Sequence, residues 1–272
     1  MARSTKTWRR IGLIWAGVVL ILAIARLPLA PRPTPDPLQV LTNPILRVGL
    51  QADRNPFAYI NHQGEMIGLE VDLMRLIGEV WGVELALTPI GADGLYDAIT
   101  SNQVDVVVAG LQPNPLYDGQ SVRYTRQYFD NGYLLLSRHE SPRLEGLAGK
   151  KVAVQFGSEG HQLLQRWQRR LKPFEIAPYE LESIALDAFQ LGVVDWALLQ
   201  PTTLSEIRSP NISPVEWQSQ QVSHVWYTMM VVAQRADLLQ LLNDTLHTLD
   251  QDSRLDMIVA EWLPYYAPQK QR

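Results

Sequence analysis

The sequence contains no cysteine. That absence excludes disulfide bonds, thiolate catalysis, thiolate metal sites and an anchor built on a lipid-modified cysteine. The chain also lacks a phosphate-binding glycine loop and a G-x-S-x-G motif. No metal-ligand spacing occurs among its five histidines, which are His62, His139, His161, His224 and His247. We therefore expect no metal, no cofactor and no catalytic residue.

Positive charge is scarce outside the N-terminus. The chain has 24 basic and 28 acidic residues, and four of the basic ones lie in residues 1–25, which contain no acid. The remainder thus has 20 basic residues against 28 acidic ones, a net charge of −8. Because an acidic protein repels phosphate backbones, nucleic acid is excluded as a partner.

The N-terminus carries a targeting signal. Residues 1–10 are basic, residues 11–25 form an apolar run of fifteen, and Ala23-Ile24-Ala25 matches an A-x-A cleavage site. This pattern predicts export to the periplasm with a mature chain that starts near Arg26. The alternative is an uncleaved membrane anchor. Fifteen helical residues reach about 22 Å, short of the ~30 Å hydrocarbon core, although an extension to Ala30 would just span it.

Residues 26–45 are rich in proline and predict a stiff, extended linker. The folded body is expected to begin near Leu46. We assign residues 46–135 and 228–264 to a first lobe and residues 136–227 to a second. The chain is expected to cross between the lobes at the apolar strands near Tyr133–Arg138 and His224–Ala233, and two such crossings form a hinge.

A repeated unit predicts that the two lobes are alike. Residues 97–110 and 187–200 each begin with Asp-Ala, carry Val-Asp at the same offset and continue into an apolar strand, ninety residues apart. A second echo links residues 46–51 with residues 151–155, two short apolar strands that end at glutamine. Buried strands of this kind, alternating with amphipathic helices, are typical of α/β proteins.

Helical periodicity is clearest in residues 69–81. The face formed by Leu69, Leu73, Leu76, Ile77 and Val80 is expected to be buried, whereas Glu70, Arg75 and Glu79 lie off it. A second helix is predicted over residues 161–171 with a solvated arginine face. Two further helices, expected from residue 238 onward, close the chain.

The sequence resembles a known family, the extracellular solute-binding proteins of ABC importers, family 3, which bind polar amino acids. The resemblance covers residues 46–263 and rests on six short motifs in the family's order: Pro56-Phe57, residues 68–73, residues 104–110, residues 149–154, residues 194–199 and the helix at residues 255–262. It implies two similar Rossmann-like lobes of the type II periplasmic binding protein fold, joined by two hinge strands. Such lobes close on a ligand at the carboxyl ends of their strands.

The ligand-reading residues of that family are only partly present. Its carboxylate-gripping arginine has no counterpart in register after Gly110, and its ammonium-binding aspartate falls at Gln200. Its aromatic shelf falls at Arg54, while the Gly157-Ser158 turn is retained and is expected to hold an anion at a helix N-terminus. The resemblance therefore implies a polar pocket for an atypical small polar solute. The expected ligand-binding residues are Gln51, Asp53, Arg54, Gln112, Asn114, Ser158, Glu159 and Gln200.

We expect a monomer that captures this solute by lobe closure and delivers it to an ABC permease. Two alternatives stay open. Glu159 and His161 beside the anion-binding turn would suit an enzyme that resembles cyclohexadienyl dehydratases, and an uncleaved anchor would suit a sensory binding domain. Asp105 and Asp195 precede strands and are interpreted as turn caps rather than ligand residues, and Trp196 is expected in the core.

Overall fold

The computed structural model describes residues 36–41, 44–139, 141–206, 217–264 and 266. The predicted signal segment and most of the predicted linker lie outside the described residues. Among the helices of the described part, none combines the length and the apolar character needed to cross a membrane.

The first lobe is built on a five-stranded sheet with helices from both ends of the chain. Its strands are β1 (Ile45–Leu50), β5 (Glu84–Pro89), β6 (Val106–Leu111), β7 (Val122–Asp130) and β13 (Trp226–Val232). Its helices are α1 (Pro37–Val40), α2 (Leu69–Trp81), α3 (Leu95–Thr100), α6 (Ala236–Gln251) and α7 (Arg254–Trp262). A small antiparallel sheet follows β1 and consists of β2 (Asp53–Arg54), β3 (Ala58–Ile60) and β4 (Met66–Ile67).

The second lobe is built on another five-stranded sheet. Its strands are β8 (Leu134–Ser137), β9 (Lys151–Gln155), β10 (Glu175–Tyr179), β11 (Trp196–Leu199) and β12 (Gln218–Gln221). Its helices are α4 (Glu159–Gln168) and α5 (Glu182–Gln190). Short 3₁₀ turns complete the described elements at Ala92–Gly94, Leu144–Leu147 and Pro201–Glu206.

The two sheets share one topology. The strand order is β5-β1-β6-β13-β7 in the first and β10-β9-β11-β8-β12 in the second. In each sheet the first three strands are parallel and the next two pairings are antiparallel. The repeated segments occupy equivalent places, with β1 matching β9 and β6 matching β11. The expectation of two similar α/β lobes is therefore confirmed.

The chain crosses between the sheets twice, at residues 131–133 and 222–225, just before the two apolar strands at which the crossings were expected. These crossings lie side by side and share hydrogen bonds. The Asn131 N–H donates to the Val225 carbonyl at 2.9 Å, and the Val222 N–H donates to the Tyr133 carbonyl at 2.9 Å. The carboxylate of Asp130 accepts the N–H groups of Gly132 and Val225, one from each crossing. Backbone groups that leave one sheet are thus satisfied by the other crossing.

Helix α2 corrects one expectation about burial. Gly82 ends it in the left-handed conformation, as a C-terminal cap should. Leu69, Leu73 and Ile77 are fully buried, but Glu70 is buried too and Val80 is 45% exposed. The Glu70 carboxylate tolerates burial because hydrogen-bond donors from two strands of the sheet reach it, which the helical pattern does not reveal.

Two boundaries also differ from expectation. Helix α4 covers Glu159–Gln168 rather than residues 161–171, because Ser158 caps its N-terminus. Within the predicted extended linker, Pro37–Val40 is a short helix whose N-cap is Asp36. Val40 and Leu41 are buried against the first lobe, and the Arg235 guanidinium donates to the Val40 carbonyl at 2.6 Å. The apolar pair at its end explains why this segment packs rather than extends.

Candidate functional site

All eight predicted ligand residues follow the carboxyl ends of parallel strands. Gln51, Asp53 and Arg54 follow β1, and Gln112 and Asn114 follow β6. On the second sheet, Ser158 and Glu159 follow β9, and Gln200 follows β11. Open α/β sheets bind ligands at this edge because loops from neighbouring strands converge there.

Arg54 is the most constrained of these side chains. Its Nη1 donates to the Ala109 carbonyl, and its Nη2 donates to the Tyr227 hydroxyl at 3.2 Å. The guanidinium lies over the rings of Phe57 and Tyr227, at 5.3 and 5.4 Å from their centroids. Two hydrogen bonds and two aromatic faces therefore hold the cation at the end of β6.

The peptide group between Ala109 and Gly110 is held from both sides. Its carbonyl accepts from Arg54, and its N–H donates to Glu70 Oε1 at 2.7 Å. The Tyr128 hydroxyl donates to the same carboxylate oxygen. Gly110 has a φ of +59°, a conformation that favours glycine. A Cβ at this position would also lie 2.0 Å from Arg54 Nη1, so the guanidinium rests directly on the glycine backbone.

Burial raises the pKa of Glu70, and the Tyr128 hydroxyl, the Arg54 charge and the Gly110 N–H oppose that rise. The pKa of Tyr128 is raised by its own burial and by the neighbouring Glu70 carboxylate. Glu70 Oε2 is buried without a hydrogen-bond partner. These observations indicate a carboxyl group that is destabilised in its ionised form, close to the Arg54 cation.

A polar chain connects this corner of the first lobe with the second lobe. The Tyr227 hydroxyl, which accepts from Arg54, also accepts from the Asn131 amide at 3.0 Å. The Gln200 amide donates to the Asn131 carbonyl at 3.2 Å. The Gln200 N–H in turn donates to Glu182 Oε2 at 3.2 Å, and the Thr203 hydroxyl donates to the same atom. Two residues, Tyr227 and Asn131, thus connect Arg54 of the first lobe to Gln200 of the second in one hydrogen-bond network.

The predicted anion-binding turn is engaged within its own helix. The Ser158 hydroxyl accepts the His161 N–H at 3.1 Å and donates to the Gln155 carbonyl at 2.8 Å. The Gly157 N–H donates to His161 Nδ1 at 3.1 Å. The Gly157 N–H, which was expected to bind an anion, donates to the His161 imidazole instead.

The other predicted residues make local contacts or are exposed. The Gln51 amide donates to the Asp53 carboxylate at 2.9 Å, and Asn114 Oδ1 accepts the Leu116 N–H at 3.0 Å within its own turn. Gln112 and Glu159 are exposed. The structure therefore brings Arg54 and Gln200 into one network and leaves the other predicted side chains in separate local arrangements.

Sequence reasoning missed the residues that join Arg54 to Gln200. Tyr227, Asn131 and Glu182 each occupy positions that a local pattern assigns to a strand end, a crossing or a helix start. Glu70 was visible inside the motif at residues 68–73, but its carboxylate acts on Gly110, forty positions away. Only the fold brings these partners together.

Asp105 and Asp195 lie at the opposite edge of their sheets. The Asp105 carboxylate accepts the Arg47 N–H at 2.9 Å, and the Asp195 carboxylate accepts the Lys151 N–H at 2.7 Å. Each aspartate thus ties the start of one strand to the start of its neighbour, instead of capping its own turn as expected. Trp196 is 2% exposed, in agreement with the expected core position.

A groove of about 760 Å³ is lined by residues of β7, β13 and helices α6 and α7. It is lined by Asp130, His224, Trp226 and Tyr266, among others. None of the predicted ligand residues lines it, although Tyr128, which donates to Glu70, does.

Comparison with known proteins gives a family match. The model of the bacterial extracellular solute-binding proteins, family 3, matches residues 46–265. The chain is 31% identical over 156 residues to the arginine-binding extracellular protein ArtP of Bacillus subtilis (strain 168). That alignment covers 55% of this chain and 60% of ArtP, so the chain spans less than two thirds of that relative.

Longer but weaker similarity extends over most of the chain. ABC transporter arginine-binding protein 1 of Escherichia coli (strain K12) is 22% identical over 225 residues, covering 80% of this chain and 90% of that protein. A solved structure of a polar amino acid ABC uptake transporter substrate binding protein from Streptococcus thermophilus has a TM-score of 0.71 at 17% identity. It covers 81% of this chain and 86% of that one, a likeness in fold.

Proposed function

Since the chain belongs to the bacterial extracellular solute-binding proteins, family 3, we propose that it captures a small polar solute between its lobes and delivers it to an ABC permease. The observation that carries this proposal is the network that joins Arg54 to Gln200 through Tyr227 and Asn131. It places polar groups of both lobes at the strand edge where α/β proteins bind ligands.

The two crossings support capture by lobe closure. The lobes are proposed to comprise residues 46–135 with 228–264, and residues 136–227, with each bound shifted by a few residues to the crossings at 131–133 and 222–225. Because the crossings are only a few residues long and lie side by side, rotation about them would move one strand edge toward the other. Export to the periplasm, with cleavage near Arg26, is part of this proposal and rests on the basic and apolar N-terminal pattern.

The proposed solute contacts are the eight predicted residues, with Arg54 and Gln200 at the centre. Losing a charge-assisted hydrogen bond costs about 1.5–3 kcal/mol, or about ten- to over a hundredfold in affinity. The neutral Gln200 therefore argues against an α-amino acid whose ammonium is held by an aspartate. Amides, small peptides, heterocycles and organic acids are the solute classes that fit a polar pocket with one cation.

A thermal-shift panel of these classes, with common α-amino acids alongside, tests the proposal. A solute at a thousandfold excess over Kd stabilises the fold by about 4 kcal/mol, which is about 8–16 °C for a chain of this size. We expect one strong response, reduced in Arg54→Ala and in Gln200→Ala. Gln63→Ala, at an exposed hairpin tip, is the control and should respond as the parent chain does. Submicromolar binding of a standard amino acid, unaffected by either substitution, would refute this account of the pocket.

The alternatives make different predictions. Glu159 is exposed and His161 accepts the Gly157 amide, so no acid–base pair at a shared site supports a dehydratase. We expect no turnover of prephenate or arogenate. A sensory domain would keep its N-terminal segment, so N-terminal sequencing of exported protein separates it from a soluble carrier.

A further inference from the structure

We infer that Arg54 sets the charge selectivity of the cleft, taking a carboxylate of the solute and excluding solutes with a cationic group. Glu70 is assigned as the positioning residue that holds the peptide beneath Arg54. The inference rests on the proposed function and narrows its solute classes to organic acids.

The Arg54 guanidinium has N–H donors that its contacts in the structure do not use. A guanidinium carries five N–H donors in a planar fork. The Ala109 carbonyl and the Tyr227 hydroxyl engage Nη1 and Nη2, and the residue stays partly exposed. A carboxylate matches the geometry of such a fork with two parallel hydrogen bonds. Arg54 is thus equipped to bind an anion without giving up its structural contacts.

The Arg54 side chain is held in place by its neighbours. The rings of Phe57 and Tyr227 face its guanidinium, and Gly110 offers only backbone beneath it. Swinging away would leave the Ala109 carbonyl and the Tyr227 hydroxyl without this donor. A fixed charge discriminates between ligands more sharply than a mobile one, because no reorganisation offsets the repulsion of a cation.

The acidic group nearest to this peptide in the network is Glu70. Glu70 is completely buried beneath the same peptide and shares its Oε1 between the Gly110 N–H and the Tyr128 hydroxyl. Burial raises the pKa of Glu70, and its carboxylate lies on the N–H side of the Ala109–Gly110 peptide, opposite the carbonyl that Arg54 contacts. The other acidic group of the network, Glu182, lies at the Gln200 end, beyond Tyr227 and Asn131. Asp53, the acid next to Arg54 in the chain, is held by the Gln51 amide, so Arg54 supplies the positive charge of this network at the end of β6.

Titration calorimetry of the exported chain at fixed ionic strength provides the test, with succinate, glutarate and L-arginine as probes. We expect an acid to bind at least about tenfold more tightly than L-arginine. Arg54→Gln should weaken the acid by about tenfold or more and remove the discrimination against L-arginine. Arg54→Lys should keep the selectivity with weaker binding, since lysine has the charge but no fork. Arg75→Gln, on the exposed face of α2, is the matched control and should change neither.

Glu70→Gln separates positioning from direct contact. Glutamine keeps an acceptor for the Gly110 N–H, so acid binding should persist. Glu70→Ala removes that acceptor and should weaken acid binding, because the peptide beneath Arg54 is no longer held. Equal or tighter binding of L-arginine, no binding of either acid, or unchanged acid binding in Arg54→Gln would overturn the inference. Stabilisation by neutral or cationic solutes only would overturn the inference and leave the proposed function standing. No stabilisation by any solute class would overturn the proposed function as well.

Discussion

At the scale of single residues, the fold places one carboxylate where water cannot reach it. Glu70 is fully buried, and burial disfavours its ionised form. The hydrogen bonds from Gly110 and Tyr128 recover part of that cost. The net result is a raised pKa, so the residue binds its proton more tightly in the folded state than in the unfolded chain.

Glu70→Gln should therefore change how stability depends on pH. Because the folded pKa lies above its ordinary value of 4.5, the parent chain loses stability as pH rises from that value through the folded pKa. The glutamine variant has no such titration and should gain relative to the parent over this window. Urea unfolding from about pH 4 to pH 8 measures the difference. A constant difference across that range would contradict the assigned burial effect.

Ser158 makes a simpler contribution, as the N-cap of α4. Its hydroxyl accepts the His161 N–H and donates to the Gln155 carbonyl. Ser158→Ala should lower the free energy of unfolding by about 1 kcal/mol, the usual cost of losing an N-cap. Ser158→Thr keeps the hydroxyl and is the control. Equal losses in both variants at the denaturation midpoint would show that capping is not the cause.

At the scale of elements, the repeated unit solves the same problem in both lobes. Each lobe starts a parallel pair of strands with an aspartate whose carboxylate accepts the first strand's N–H and whose own N–H donates back to that residue's carbonyl. A backbone donor at the start of a strand would otherwise depend on water. The recurrence of Val-Asp before β6 and β11 is therefore a structural signature.

The two aspartates should differ in their energetic weight. Asp105 also forms an ion pair with the Arg47 guanidinium at 2.7 Å, and its side chain is 11% exposed. The hydrogen bonds and ion pair of Asp105 are thus less weakened by solvent than the exposed hydrogen bond of Asp195. Asp105→Ala should destabilise the protein by about 1.5–3 kcal/mol, and Asp195→Ala by less. Chemical unfolding of both variants checks the order, which a larger loss in Asp195→Ala would reverse.

At the scale of the whole molecule, two crossings in contact set the relation between the lobes. Gly132 allows this contact, because a Cβ there would lie 2.0 Å from the Ser223 carbonyl oxygen and 2.7 Å from the His224 Cα. Both atoms belong to the backbone, so neither can move aside as a side chain would. The hydrogen bond from the Asn131 N–H to the Val225 carbonyl depends on the same close approach.

Gly132→Ala should force the crossings apart. We expect a loss of at least about 1–3 kcal/mol, the usual cost of overpacking, together with altered lobe spacing in small-angle scattering. Gly91→Ala is the control, because a Cβ at Gly91 meets nothing within 4 Å. A Gly132 variant with parent-like stability and scattering would show that the crossings tolerate separation.

The sequence by itself determined the architecture. Apolar runs such as Val106–Ala109 and the helical spacing of Leu69, Leu73 and Ile77 are local signals, and they predicted strands and helices that the structure contains. The two echoes predicted similar lobes, because equivalent positions in equivalent sheets demand the same pattern of burial. These inferences succeeded because the period of side-chain burial is a property of one element alone.

The tertiary structure decided the contacts of the candidate site. Arg54 and Tyr227 are 173 positions apart, and no local pattern records that their side chains meet. The same holds for the burial of Glu70, whose partners Gly110 and Tyr128 come from β6 and β7. Hydrogen bonds depend on distance and angle between groups that the chain brings together only when both sheets have formed. The strand ends that carry the candidate site were therefore predictable from the sequence, whereas its hydrogen-bond network was set by folding.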